Sequence, residues 1–404
     1  MKQLETLIQT LCPNGVKFVK LGEVGEFYGG LSGKTKEDFK DGNAKFITYK
    51  NIYSNLSLDI DVEDKVFVAE GEKQNTVQYG DVLFTGSSET PDECGMSSVL
   101  TTPTDEKLYL NSFCFGWRLF DKSIYLPDFL KHLFRCSSIR KEIGKTASGV
   151  TRFNVSKKKM QELQIPLPPL AVQSEIVRIL DEFTLYKSEL AAELAARLQQ
   201  YEYYRDQLLT FDDSVKRVKL GEVGKICMCK RILKSETNTV KGIPFYKIGT
   251  FGRTPDAYIS EELFEEYKNK YNYPLKGQIL ISASGTIGRT VIFDGEPAYF
   301  QDSNIIWIDN REELVLNKFL YYYYQLQPWN VSTGGTIARL YSYNIENAVI
   351  PIPSLEVQER IVSILDRFDA LCHDIREGLP AEIDLRQKQY EHYRDRLLTF
   401  EAVK

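Results

Sequence analysis

Two hydrophobic periodicities alternate along the chain. Residues 171–209 contain no glycine or proline, and apolar side chains recur there at Ile176, Leu180, Phe183, Leu190, Leu194, Tyr201 and Leu208. Steps of three, four and seven put them on one stripe of a helix, broken at Lys187 and Arg197. Such a helix spans roughly 50–60 Å. Near the end, Ile361, Leu365, Phe368, Cys372, Ile375 and Leu379 step in the same way, until Gly378 and Pro380 interrupt the pattern. Elsewhere short β-like runs (46–49, 66–68, 81–84, 113–120, 279–282 and 305–308) are separated by Gly, Asn, Asp and Ser. Amphipathic helices are expected at 128–143 and 316–327. The Tyr321–Tyr324 run reads as a half-buried helix rather than a stacking platform. These stretches predict mixed α/β modules with mostly antiparallel strands.

The pattern occurs twice. Residues 218–224 (VKLGEVG) copy 19–25, and 350–362 (IPIPSLEVQERIV) copy 165–177 (IPLPPLAVQSEIV). Residues 389–400 (QYEHYRDRLLTF) copy 200–211 (QYEYYRDQLLTF). Weaker echoes join 80–84 to 277–281 and 148–151 to 333–336. A repeat of about 200 residues is a duplicated domain, not a solenoid. Near-identical blocks flank diverged stretches, so a shared scaffold carries two variable modules. The second copy has four extra residues between Phe368 and Gln389, close to one turn, so its apolar seam keeps phase. Two long helices packed together are therefore expected, rather than one lone helix in each core. The leading segment 4–8 stands where 204–208 stands before the second module. The scaffold thus reads as cyclic, with a pseudo-two-fold relation between modules.

Composition narrows the chemistry. The 404 residues are 43% hydrophobic and 26% charged, which excludes wholesale disorder. No apolar run approaches the roughly 18 residues of a membrane span, and the first residues lack a signal-peptide pattern, so a cytoplasmic location is expected. Seven cysteines without a CxxC read as buried thiols, not as a metal site. Net charge is −5, but residues 131–160 hold nine basic groups against Glu142 alone, while 57–72 hold six acids against Lys65. The basic stretch is either a cationic face or an ordinary solvated helix.

Catalytic signatures fail. Gly33-Lys34-Thr35 ends like a phosphate-binding loop, but Tyr28 stands where the earlier glycine is required. Asp256 with Glu266 and Lys268, and Asp92 with Asp105 and Lys107, match a loose nuclease spacing that charged sequences meet by chance. The only Pro-Pro, Pro168-Pro169, has leucine on either side and no acid or amide before it, so the base-holding box of an adenine methyltransferase is absent. His132, His373 and His392 are too scattered for a triad. No metal or cofactor is expected, and the chain does not read as an enzyme.

The doubled IPLPPLxxQ-like and QYxxYRDxLLTF blocks, in this order and spacing, resemble the DNA-specificity subunits of type I restriction–modification systems over essentially the whole chain. The resemblance implies an α+β fold: two mixed α/β target recognition domains joined by two long, paired, coiled-coil-like helices. The corresponding segments are 1–165 (first recognition domain), 166–211 (central spacer helix), 212–350 (second recognition domain) and 351–404 (C-terminal spacer helix). It further implies a non-catalytic chain that reads a bipartite site in double-stranded DNA, one half per domain, with the helices as a ruler. Two adenine methyltransferase (modification) subunits and motor/endonuclease (restriction) subunits would be its partners.

Base and phosphate contacts need Arg, Lys, Asn, Gln or Ser/Thr on loops. In the first module these are expected at Lys50, Asn51, Ser87, Ser88, Arg152, Asn154, Lys157 and Lys158. In the second they are expected at Lys247, Arg253, Ser284, Thr286, Arg289, Thr336 and Arg339. The competing reading is a helical scaffold whose two β-rich modules bind protein or glycan partners.

Overall fold

The computed structural model describes residues 2–330, 339–374 and 377–403. The chain divides into two units, 1–191 with 382–404, and 192–381. The division falls inside the spacer helices rather than at their ends.

In the first unit the apolar runs form an antiparallel sheet, in the order Gly25–Gly29, Cys114–Leu119, Val82–Thr85, Ser97–Val99. Trp117 stands opposite Phe27 and Val82 and is fully buried. Beside it lies a second sheet, Lys65–Val66, Ala44–Ile47, Leu108–Leu110, Thr76–Val77. Its middle pair is parallel, a departure from the mostly antiparallel expectation. The expected helix 128–143 is two helices, Pro127–Leu133 and Ser137–Thr146. Phe134 and Cys136, at the break between them, are buried in the core.

The second unit repeats this plan. Its antiparallel sheet runs Lys225–Cys227, Ile305–Asp309, Ile279–Ser282, Thr290–Ile292, and Ile243–Tyr246 pairs in parallel with Tyr299–Phe300. The helix Asn317–Tyr324 buries Tyr322, Tyr323 and Tyr324, as a core helix should. A cross-strand polar pair persists with different chemistry. Buried Asp81 holds Arg118 (2.6 Å) in the first unit, and buried Gln278 donates to Asp309 (2.9 Å) at the corresponding place in the second.

The gap-free stretch is a single helix, Leu170–Leu208. Its first half belongs to the first unit, where it runs antiparallel to Leu379–Leu397: Phe183 stacks on Tyr393 (5.1 Å), and Lys187 donates to Gln387 (2.7 Å). Its second half runs antiparallel to Leu355–His373 in the second unit, where Tyr201 meets His373 and Tyr204 stacks on Phe368. Gly378 and Pro380 mark the break between the two C-terminal helices. Cyclic closure is seen in the first unit: Val16 bridges Ala402, and Leu4, Tyr390, Leu397 and Leu398 share one core.

Candidate nucleic-acid interface

In the first unit three segments meet at one node. The Gly86 N–H donates to the carbonyl of Phe113 (2.8 Å), and the Val155 N–H donates to the carbonyl of Gly86 (3.0 Å). Ser87–Ser88 then pairs antiparallel with Phe153–Val155, which turns back on Ala147–Ser148. The approach at Gly86 is close: a Cβ would stand 2.5 Å from the Phe113 oxygen. Gly149, at φ +151°, closes the hairpin so tightly that a Cβ would strike the Arg152 carbonyl.

This ribbon brings Ser87, Ser88, Arg152 and Asn154 together. The Arg152 Nε donates to Ser87 Oγ (3.0 Å), and its guanidinium lies 5.8 Å from the ring centroid of Phe113. Phe113 is 62% exposed. Asn154 is exposed, whereas Ser87 is buried and Ser88 donates to Glu93 (3.2 Å). Lys157 lies over Phe115 (5.9 Å), and Lys157, Lys158 and Lys159 are exposed on a short helix capped by Ser156. Lys50 is exposed on the helix Tyr49–Ser54.

Asn51 corrects the sequence expectation. Its amide is buried, donating to the Asp59 carbonyl and accepting from the Asp59 N–H and from Asn55. It braces a loop and has no edge left to offer a base.

The basic stretch is similarly divided. Arg135 donates to the carbonyls of Ser97, Ile52, Tyr53 and Asn55, and burial lowers its pKa to about 10. Arg140, also lowered to about 10 by burial, holds the carbonyls of Asp92, Cys94 and Gly95. Lys131 pairs with Asp128 and Asp181, and Lys145 with Glu142. What remains for a ligand is Lys141, Arg152 and the three lysines. Arg135, Arg140 and Lys131 are internal bracing, which charge counting could not reveal.

The second unit has the same node. The Ala283 N–H donates to Asn304 (2.7 Å), and the Leu340 N–H donates to Ala283 (2.9 Å). Ser284 therefore corresponds to Ser87, Arg339 to Asn154, and Asn304 to Phe113. Ser284 Oγ donates to Asn304 Oδ1 (2.9 Å), and Arg339 donates to the Ser303 carbonyl (2.8 Å). Arg339 and Lys247 line one cleft with Arg231, Lys234 and Gln301. Lys247 is paired with Asp256 (2.8 Å) and Arg231 with Asp302 (2.9 Å). Arg289 braces its own turn through Ser282 Oγ and the Phe251 carbonyl, beside the exposed Thr286 and Arg253. Thr336 lies outside the described residues, as do Gly334 and Gly335.

Sequence reasoning missed Phe113, Asn304, Arg231 and Lys234. Aligning the two copies through Gly80 and Gly277 does not bring the first pair together, because the second copy is six residues shorter between the glycine and this site. Nothing in the sequence marks the second pair.

The seven cysteines are buried and unpaired; burial raises Cys114 and Cys229 to about 12. Among the described residues no cluster of His, Cys, Asp and Glu could hold a metal ion, and no helix is long and apolar enough to cross a membrane.

The type I restriction modification DNA specificity domain family matches residues 13–200 and again 213–385. The chain belongs to this family. A putative type I restriction enzyme specificity subunit of Haemophilus influenzae is 58% identical over 261 residues, 63% of this chain and 68% of that protein. The Escherichia coli EcoR124I/EcoR124II specificity subunit is 36% identical over 266 residues, 61% of this chain and 65% of that protein. One chain from a structural study of type I complex assembly and conformational transition shares the fold, with a TM-score of 0.61 at 20% identity. It covers 96% of this chain and 98% of its own length. The role of such a chain is DNA recognition, and it is the non-catalytic subunit of its system.

The repeated blocks of this specificity chain turn out to be joinery. Gln173 and Gln358 are fully buried at the start of corresponding helices. Gln173 donates to Ile124 and Pro168 and accepts from the Leu126 N–H; Gln358 does the same with Leu314, Pro353 and Leu316. The repeated tyrosines lock onto the helices Pro127–Leu133 and Asn317–Tyr324, Tyr390 through His132 (2.9 Å) and Tyr201 through Gln325 at the end of the second helix (2.9 Å).

Proposed function

We propose that this chain reads a bipartite site in double-stranded DNA, one half per unit, and so directs adenine methylation and restriction by partner subunits. The observation that carries the reading is the repeated node: one backbone arrangement in both units, with different side chains at its tip. A shared frame with Ser, Arg and Phe in one unit and Ser, Asn and Arg in the other suits two different half-sites. Ser87, Ser88, Arg152, Asn154, Lys50, Lys157 and Lys158 serve the first half-site. Lys247, Arg253, Ser284, Thr286, Arg289, Thr336 and Arg339 serve the second. Modification subunits, two per chain, and restriction subunits dock on the helical scaffold, and the complex works in the cytoplasm.

Sequencing methylated adenines on native host DNA, with and without the chain, tests this. Loss of one bipartite motif on deletion is the expected result. An unchanged methylome in cells that express the chain would refute it in favour of a protein- or glycan-binding scaffold.

A further inference from the structure

We propose that Arg152 and Phe113 form the base-reading pair of the first unit, and that they recognise a guanine next to a thymine from the major groove. The proposal rests on the DNA-reading function above and assigns the base chemistry within it.

Arg152 is preorganised. Its Nε is committed to Ser87 Oγ, and Ser87 is itself fixed in a strand, its carbonyl accepting from Tyr49 (2.9 Å). Among the described residues no carboxylate pairs with the Arg152 guanidinium, and the residue is exposed, which leaves its two terminal nitrogens available as a fork. A fork of that geometry matches O6 and N7 of guanine, the commonest specific contact of arginine in the major groove. Arg135 and Arg140, on the same basic stretch, have spent their forks on backbone carbonyls.

Phe113 supplies the second half. It is a large apolar side chain held out at 62% exposure, on a turn pinned by Asn111 accepting from its N–H (2.9 Å). Packing does not explain that exposure. An aromatic ring beside a cation, inside a polar face, suits the one apolar feature of the major groove, the thymine methyl. Guanine O6/N7 and the thymine methyl lie in the same groove, and the two side chains are in contact, so the bases they read must be neighbours. The second unit has Asn304 in place of Phe113, and its half-site should carry no such thymine dependence.

The test uses the full chain in its host, with methylated motifs read from native DNA for the unaltered chain, Arg152→Lys and Phe113→Ala. Both side chains lie at the surface, so neither change threatens the fold. One half of the motif is expected to contain a G adjacent to a T. Arg152→Lys should admit other bases at that G, with discrimination falling about tenfold or more. Phe113→Ala should relax only the T, and the other half should be unchanged in both variants. A motif with no such step in either half overturns the proposal before any variant is made. So does unaltered base preference in both variants, or an equal fall at every site, which marks phosphate contact instead. Survival of all methylation motifs on deleting the chain would overturn the underlying DNA-reading function instead.

Discussion

Gln173 shows why a short polar motif can outlast the modules around it. Its one fully buried amide satisfies an N–H and two carbonyls where the recognition domain joins the helix. Gln173→Ala would leave those groups unmet, costing about 2–4 kcal/mol, a large share of a domain's stability. A lowered denaturation midpoint in the first unit alone is expected; an unchanged one would show that water replaces the amide. His132 carries a pH signature. Fully buried, it contacts Tyr390 and Asp181 (2.8 Å), with Lys131 and Asp128 nearby, and burial depresses its pKa below the ordinary 6.5. Above about pH 6.5 folded and unfolded chains are both neutral there, and nothing is lost. Below it the unfolded chain takes the proton first, so stability falls as pH drops towards the folded pKa. Denaturation between pH 7 and 5 should show this slope, and His132→Gln should flatten it; equal slopes would refute the assignment.

At the scale of elements, the central helix is the most legible feature of the sequence. Without Gly or Pro, nothing stops it between the Pro-rich entry and Leu208. A ruler role for this helix would predict a phase effect. Four residues inserted between Ala191 and Ala192 add about 6 Å and nearly one turn, whereas two residues rotate the distal half by about 200°. The first insertion should lengthen the spacer of the methylated motif and keep both half-sites; the second should abolish methylation. An unaltered spacer after the four-residue insertion would rule the ruler out. The basic run was less legible. Sequence distance says nothing about which cations turn inward, and Arg135 and Arg140 do so because backbone carbonyls at 52–55 and 92–97 need donors.

At the scale of the molecule, the C-terminal helix completes the unit that the N-terminus begins. Tyr390, Leu397 and Leu398 lie in the first unit's core, and the chain end pairs with Val16. Truncation after Gly378 should open the first unit and spare the second, whose core draws on residues 201–368. Hydrogen exchange mapped by fragment would read this directly, and protection lost equally in both units would contradict it.

The sequence by itself determined the duplication, the long helix, the presence of a tyrosine-rich helix and the family, because repeats and periodicity are written in consecutive residues. It also placed Ser87, Ser88, Arg152 and Asn154 among the candidates, through the polar and Gly-rich character of their loops. Only the tertiary structure decided that these four share one ribbon, that Asn51 is a brace, and that Phe113 stands exposed beside Arg152. The ribbon depends on hydrogen bonds between segments far apart in sequence, such as Gly86 with Phe113 and Val155, and the Asn51 brace on which polar groups are left unmet once the chain has folded. Local pattern carries no record of either.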